Sequence, residues 1–166
     1  MKISVFYEHI EKACEQTKKP LSEVLAYVKA CGIDGVEMDY DELAHDSLDI
    51  LKNLQDAGLL ISSIYGFCHL DIDPEEQKCL DVIDKAAKNG CSRVLLVPGF
   101  FNEADAKIFR ECADDWEKTV KFMESNQAVQ NITAGLSRAV AYAKEKNVIV
   151  TLEDFDSTLS PCSRIN

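Results

Sequence analysis

The stretch VIVTLEDFD, residues 148–156, decides the fold predicted for this chain. Five mostly apolar, β-favouring residues are followed directly by the acids Glu153, Asp154 and Asp156. A short apolar run bounded by polar residues predicts a buried parallel strand. Acids at the carboxyl end of such a strand lie where α/β enzymes place their metal ligands and bases. The stretch therefore predicts both a strand and a functional edge.

The same unit occurs repeatedly before this stretch. Helical patterns stop at a glycine or asparagine near residues 32, 58, 90 and 147, and a short apolar strand follows each stop. Alternating strands and helices predict parallel strands joined by right-handed crossovers. The predicted strands cover residues 3–7, 35–38, 59–65, 93–97 and 148–152. Five such strands fit an open doubly wound sheet or the first five units of a (β/α)₈ barrel.

The residues that follow the predicted strands favour the barrel. An open nucleotide-binding sheet would place a glycine-rich phosphate loop after its first strand, but residues 8–11 are EHIE. Each predicted strand instead ends at ionisable residues or glycine, as barrel strands do. We therefore predict an α/β fold of the parallel TIM-barrel type, incomplete, with about five of eight β/α units. Because a barrel typically needs about 250 residues, we expect residues 1–166 to form a single domain truncated at its C-terminus.

Local sequence signals predict the helix boundaries. Ser22 is a candidate N-cap, and residues 73–76 (DPEE) match a capping box with proline at the first helical position. The long interval before the last strand predicts an extra helical excursion that carries Trp116, expected to pack in the core or a lid. Its predicted parts are a helix over residues 104–123, a polar linker over 125–130 and a crossover helix over 132–146.

Composition excludes several classes of partner and of site. The net charge of −11 argues against nucleic acid and against anionic membrane surfaces. Seven cysteines, an odd number and never in CxxC spacing, argue against a disulfide framework or a zinc knuckle and favour a reducing compartment. The apolar run at residues 3–7 is too short for a signal peptide or a membrane span. We therefore expect a cytoplasmic protein.

Four motifs in the predicted strands resemble one family. They are GVEMDY (35–40), SIYGF (63–67), VLLVPG (94–99) and VTLEDFDSTLSPCS (150–163). Their order and sequence are similar to those of the sugar phosphate isomerase/epimerase group of xylose isomerase-like TIM barrels. The resemblance extends over essentially all 166 residues and covers about the first five of the family's eight units. It implies a metal-dependent isomerase or epimerase acting on a sugar or sugar phosphate.

The resemblance also implies a role for one carboxylate. In that family the glutamate that ends strand five is a metal ligand and a catalytic base, and Glu153 occupies this place. The other ligands, an Asp, a His and a second Glu, come from strands six to eight, which these 166 residues do not include. A divalent cation, Mn²⁺, Mg²⁺, Co²⁺ or Zn²⁺, would polarise the sugar carbonyl while carboxylates move the α proton through an enediolate.

Residues at the other strand ends are candidates for binding the sugar. Glu37 and His69 are expected to contact hydroxyl groups, and Tyr7 and Tyr65 to hydrogen-bond or stack on the ring. Gly99 marks a point where the backbone can approach a ligand closely. The expected partner is a small sugar, with neither nucleic acid nor membrane. Self-association through the exposed edges of an incomplete barrel is also expected.

Three alternatives compete with the isomerase hypothesis. A metal-dependent apurinic endonuclease shares this barrel, but three histidines and an acidic surface argue against it. A flavodoxin-like binding module would be complete at this length and would need no catalytic site. Finally, the chain would be inactive alone if it is a truncated product that lacks the remaining metal ligands.

Overall fold

The computed structural model describes residues 2–45 and 47–153 of the chain. Five strands alternate with helices in this part of the chain, as the periodicity predicts. Asp154 and Asp156 lie outside the described residues, as does the rest of the EDFD…SP motif after Glu153. The elements are β1 Ser4–Phe6, α1 Tyr7–Thr17, α2 Leu21–Ala30, β2 Gly35–Asp39, α3 Tyr40–His45, α4 Ser47–Asp56, β3 Leu60–Phe67, α5 Lys78–Lys88, β4 Arg93–Val97, α6 Glu103–Cys112, α7 Trp116–Ser125, α8 Gln127–Glu145 and β5 Ile149–Leu152.

The five strands form one parallel sheet in the order β1-β2-β3-β4-β5. A doubly wound sheet reverses direction at a switch point, so its spatial order cannot follow the chain in this way. The strictly sequential order is that of consecutive units in a (β/α)₈ barrel. The structure therefore confirms the partial TIM-barrel-type fold and excludes the flavodoxin-like alternative.

One face of the sheet packs against the helices and forms the hydrophobic core. Val36 and Met38 of β2, Ile64 of β3, and Val94 and Leu96 of β4 are fully buried on this face. Leu25, Leu54, Val82, Ile83, Ala139 and Ala143 meet them from the helices. Because every second side chain of a strand faces the core, the remaining strand residues project from the opposite face.

That opposite face carries polar and ionisable side chains and the opening of a cavity, and we call it the concave face. Ser63 lies beside Glu37 in the β2–β3 register, and Leu95 lies beside Thr151 in the β4–β5 register. The β2–β3 register shifts by one residue between Val36 and Glu37: Val36 pairs with Ile61, and Glu37 pairs with Ser63. A cavity of about 230 Å³ on this face is lined by Ser4, Glu37, Ser62, Ser63, Arg93, Leu95 and Thr151.

Two predicted helix starts were wrong. Pro20, not Ser22, is the N-cap of α2, and the prolyl carbonyl accepts the first helical N–H bonds. Residues 73–76 form a turn rather than a capping box, and α5 begins only at Lys78. In that turn Asp73 accepts the N–H of Glu75, while the Glu76 carboxylate accepts the N–H of His69. The two acids therefore shape a loop, because each binds a backbone donor outside the helix.

The excursion before β5 contains two helices where one was predicted. α6 and α7 are separated near residues 113–115. The rings of Phe109 in α6 and Phe122 in α7 pack against each other and against Phe101. The polar linker predicted at 125–130 was wrong, because the Asn126 side chain accepts the N–H of Val129 and starts α8 there. Trp116 is 69% exposed, so the core or lid packing predicted for it was wrong as well. None of the helices among the described residues is long and apolar enough to cross a membrane.

Candidate functional site

The site predicted from sequence lies on the concave face, between the middle of β2 and the carboxyl end of β5. Glu37, Tyr65 and Glu153 come from β2, β3 and the end of β5, and all three are partly exposed. Parallel strands carry their carboxyl ends to the same edge, so residues far apart in sequence converge there. The structure thus brings together three of the six predicted site residues on one surface.

Glu153 follows β5 directly and is held by the sheet. Its backbone N–H donates to the carbonyl of Leu96 at 3.1 Å, which continues the β4–β5 ladder by one residue. Two residues earlier, the Thr151 hydroxyl donates to the carbonyl of Val94 at 2.7 Å. Because Thr151 lines the cavity of the concave face, Glu153 with the same parity projects to that side.

The surroundings of Glu153 raise its pKa above the ordinary value for a glutamate. Burial is the larger cause, and repulsion from Glu37 is the second. Two carboxylates close enough to repel each other stabilise the protonated form of one of them. A carboxylate with a raised pKa is a stronger base, and the pair attracts a cation.

Glu37 is positioned on the concave face by the neighbouring strand. Its Oε1 accepts a hydrogen bond of 2.7 Å from the Ser4 hydroxyl of β1. Glu37 also lines the cavity on this face. Glu37 is therefore a carboxylate of the cavity wall, held by a hydroxyl of the neighbouring strand.

Tyr65 lies between these two carboxylates in strand order. Its ring packs edge-on against Phe6, with centroids 5.5 Å apart. Burial raises the pKa of the Tyr65 hydroxyl, and so do the surrounding carboxylates of Asp39, Glu42, Glu8 and Glu153. The hydroxyl therefore keeps its proton at neutral pH and can donate a hydrogen bond to a ligand oxygen.

Two carboxyl groups beside Tyr65 were missed as site neighbours by the sequence analysis. Glu42 of α3 is partly buried, its Oε2 has no hydrogen-bond partner among the described residues, and its pKa is raised to about 7. Burial is the main cause, followed by Glu11, Asp39 and Glu8. Asp39 ends β2 and accepts the N–H groups of Asp41 and Glu42. The signal in the sequence was the dense run of acids at 37–42, directly after a strand.

His69 and Gly99 lie farther along the same edge, in the segments after β3 and β4. His69 is exposed, and its ring centroid is 6.4 Å from that of Phe100. Gly99 is buried, and a Cβ built there would clash with Asp71 Oδ1. The close approach that Gly99 allows is therefore to the chain's own Asp71 carboxylate.

Tyr7 is placed differently from the other predicted sugar-binding residues. The first strand ends at Phe6, so Tyr7 is the first residue of α1 and only 4% exposed. It belongs to the hydrophobic core, where burial raises the pKa of its hydroxyl to about 12. The sugar-binding role predicted for Tyr7 has no support in this placement, and the site considered below leaves it out.

The predicted metal site is only partly represented in the described part of the chain. Glu153 and Glu37 supply oxygen donors of the kind that divalent cations prefer. However, residues 2–45 and 47–153 contain no group of three or more His, Cys, Asp or Glu side chains arranged to hold a metal ion. The donor chemistry fits a divalent cation, and the described residues do not complete its ligand set.

Comparisons with solved structures agree with the barrel-type architecture. The probable 3-DHS dehydratase AsbF from Bacillus anthracis superimposes with a TM-score of 0.61 and 18% identity, over 96% of this chain and 54% of its own. A putative xylose isomerase from Rhodospirillum rubrum gives 0.58 and 18%, over 95% and 56%. A sugar phosphate isomerase/epimerase from Parabacteroides distasonis gives 0.55 and 19%, over 91% and 50%. At these identities the likeness concerns the fold alone.

The chain thus spans about half the length of these neighbours. The comparison with curated proteins found no match. A family model described as the xylose isomerase-like TIM barrel matches residues 25–165, which is most of the chain. Together with the sequential parallel sheet, this match shows that the chain belongs to the xylose isomerase-like TIM barrel family.

Proposed function

We propose that this chain contributes the Glu153 half of a metal-dependent sugar isomerase or epimerase site. The observation that carries the proposal is the placement of Glu37 of β2 and Glu153 after β5 on the same face of the sheet, close enough for their charges to repel. Repulsion from Glu37 contributes to the raised pKa of Glu153. A divalent cation would relieve that repulsion, which gives the two acids a chemical reason to lie together.

Each polar group around Glu153 has a place in the proposed reaction. Glu153 would act as metal ligand and as the base that takes a proton from the carbon next to the sugar carbonyl. Tyr65 keeps its proton and would donate to a sugar oxygen, while Glu37 would accept from a hydroxyl. A bound divalent cation would polarise the carbonyl oxygen. His69 is proposed as a further contact at the outer rim.

Sugar chemistry suits this surface better than nucleic acid does. The groups that converge on the concave face are mostly carboxylates and hydroxyls, which pair with sugar hydroxyl groups. The net charge of −11 opposes binding to a phosphate backbone. The apurinic endonuclease alternative therefore has no supporting observation among the described residues. One structural neighbour is a probable dehydratase, so loss of water is a second reaction to assay.

Calorimetric titration with Mn²⁺ tests the metal-binding part of this proposal. We expect saturable binding by the 166-residue chain and a loss of at least tenfold in affinity for Glu153→Gln, because the amide removes a charged ligand. Glu145→Gln, an exposed acid at the end of α8, is the matched control and should bind as the wild type does. Equal affinity in all three proteins would contradict the role of Glu153.

Sugar turnover is tested separately, with a panel of aldoses, ketoses and their phosphates in the presence of Mn²⁺. Exchange of the α proton with deuterium from solvent is the expected readout, because enediolate formation labels the sugar even without net conversion. The Glu153→Gln variant should show no exchange. Dehydration products without α-proton exchange into recovered substrate would favour the dehydratase alternative instead.

A further inference from the structure

The segment between β3 and α5, residues 68–77, carries His69 and forms the outer rim of the proposed site. We call it the rim segment. Leu70, within it, is fully buried, so the segment has its own anchor in the core. The N–H groups of Cys68 and Leu70 donate to the carbonyls of Val97 and Pro98 at 2.8 and 3.0 Å. These bonds tie the start of the rim segment to the end of β4.

Helix α8 binds the same segment from the other side. The Asn131 side chain donates to the Asp71 carbonyl at 2.9 Å, across 60 residues of sequence. The Arg138 guanidinium donates to the Glu76 carbonyl at 2.7 Å and lies 3.6 Å from the Glu75 carboxylate. Both backbone acceptors belong to a loop, where no strand or helix partner is available.

The backbone of the rim segment also approaches α8 closely. A Cβ built on Gly135 would lie 2.8 Å from Leu70 Cδ2 and 3.0 Å from the Pro74 carbonyl oxygen. Only glycine leaves room for that approach without displacing the loop. Asn131, Gly135 and Arg138 are spaced by four and three residues, so they share one face of α8.

A continuous path connects this helix face to His69. Arg138 holds the Glu76 carbonyl, and the Glu76 carboxylate in turn accepts the N–H of His69 at 2.6 Å. The His69 carbonyl accepts the N–H groups of Ile72 and Asp73, both at 3.0 Å, which closes the turn. The backbone of His69 is therefore fixed on both sides by groups that depend on α8.

We infer that α8 positions the rim of the site, with Asn131, Gly135 and Arg138 as positioning residues that fix the rim segment and thereby the His69 side chain. The assignment of His69 to a sugar site rests on the proposed function. The positioning itself rests on contacts that exist without ligand. It means that the rim is preformed, with its geometry set by α8.

Hydrogen–deuterium exchange of Asn131→Ala tests the inference. We expect the amides of residues 70–73 to exchange at least fivefold faster than in wild type, because the variant loses the bond to Asp71. Thr133→Ala is the matched control, since its hydroxyl donates only to Val129 within α8. It should leave exchange in the rim segment unchanged within twofold. Arg138→Lys provides a second variant that keeps the positive charge and should loosen residues 74–77.

The His69 ring protons provide a readout that a general loss of stability would not move. Their chemical shifts depend on the Phe100 ring nearby, and His69→Gln identifies them among three histidines. We expect shifts in Asn131→Ala and Arg138→Lys but not in Thr133→Ala. Exchange and shifts that match the control in both variants would overturn the inference. Absence of Mn²⁺ or sugar binding in the wild type would count against the proposed function and leave these two measurements valid.

Discussion

Glu42 keeps its proton to an unusually high pH for a glutamate. Burial and the neighbouring acids Glu11, Asp39 and Glu8 raise its pKa from 4.5 to about 7. The charge of Glu42 in turn raises the pKa of the nearby Tyr7 and Tyr65 hydroxyls. Glu8 forms ion pairs with Lys12 and His9. Since these groups oppose ionisation of Glu42, the folded state binds its proton more tightly than the unfolded state does.

A pH-dependent effect on stability follows for Glu42→Gln. Because the folded pKa exceeds the unfolded one, the wild type loses stability as pH rises from about 4.5 to about 7. The amide of the variant does not ionise and therefore avoids this loss. The free energy of unfolding of the variant minus that of the wild type should thus be about 1–2 kcal/mol larger at pH 8 than at pH 5. This figure allows for the partial exposure of Glu42. Urea unfolding at the two pH values measures it.

The control for this prediction is Glu15→Gln, which neutralises an exposed glutamate on α1. It should change the free energy of unfolding by the same small amount at both pH values. If the free energy of unfolding of Glu42→Gln differed from that of the wild type by the same amount at pH 5 and pH 8, the prediction of a raised pKa for Glu42 would be contradicted.

Among the elements, α8 contributes both to the core and to the site rim. It packs Ile132, Ala139 and Ala143 into the core, and it holds the rim segment with Asn131 and Arg138. Its first turn begins with an asparagine cap, and α6 and α7 begin in the same way with Asn102 and Asp115. These caps define the helix starts in the excursion, where apolar periodicity alone predicted too few boundaries.

Gly135→Ala should reverse the usual effect of glycine replacement in a helix. An alanine normally stabilises a helix interior by up to about 1 kcal/mol relative to glycine. Here its Cβ would press on Leu70 and on the Pro74 carbonyl, so we expect a loss of about 1–2 kcal/mol in the free energy of unfolding. Chemical denaturation of the variant and wild type measures the difference.

Ala134→Gly is the companion variant, because Ala134 directly precedes Gly135 in α8 and is exposed. It should lose about 1 kcal/mol from helix propensity alone. If Gly135→Ala instead raised the free energy of unfolding by about the amount that Ala134→Gly lowers it, the rim segment would not pack closely enough on α8 to exclude a Cβ.

At the scale of the whole molecule, the sheet has two edges. In the described part of the chain β1 pairs only with β2, and β5 pairs only with β4. Ile149 of β5 is 56% exposed at one of these edges. Unpaired strand edges beside apolar surface favour pairing with another chain.

Ile149→Lys should therefore weaken self-association of the 166-residue chain. A lysine on an edge strand opposes edge-to-edge pairing because its charge would have to be desolvated. Sedimentation velocity over a concentration series should show self-association of the wild type. The association constant of the variant should be at least fivefold lower. Tyr27→Lys, at an exposed position on α2, is the control for lost apolar surface. A wild type that remains monomeric at millimolar concentration would contradict the expectation.

The sequence by itself determined the succession of units and the positions of the strand-end acids. Apolar runs and glycine stops are local signals, so β4 at Arg93–Val97 was predicted with its observed bounds. The strand that precedes Glu153 and the strand that carries Glu37 followed from the same pattern. Side-chain periodicity is a property of neighbouring residues, and it needs no knowledge of the rest of the fold.

Only the tertiary structure decided which of these residues meet. The placement of Glu153 near Glu37, the acids around Tyr65, and the attachment of the rim segment to α8 all join residues distant in sequence. The capping box predicted at residues 73–76 was wrong because the Glu76 carboxylate accepts the N–H of His69 rather than an N–H at a helix start. Burial, repulsion between carboxylates and close backbone approach arise from packing, which a local pattern cannot specify.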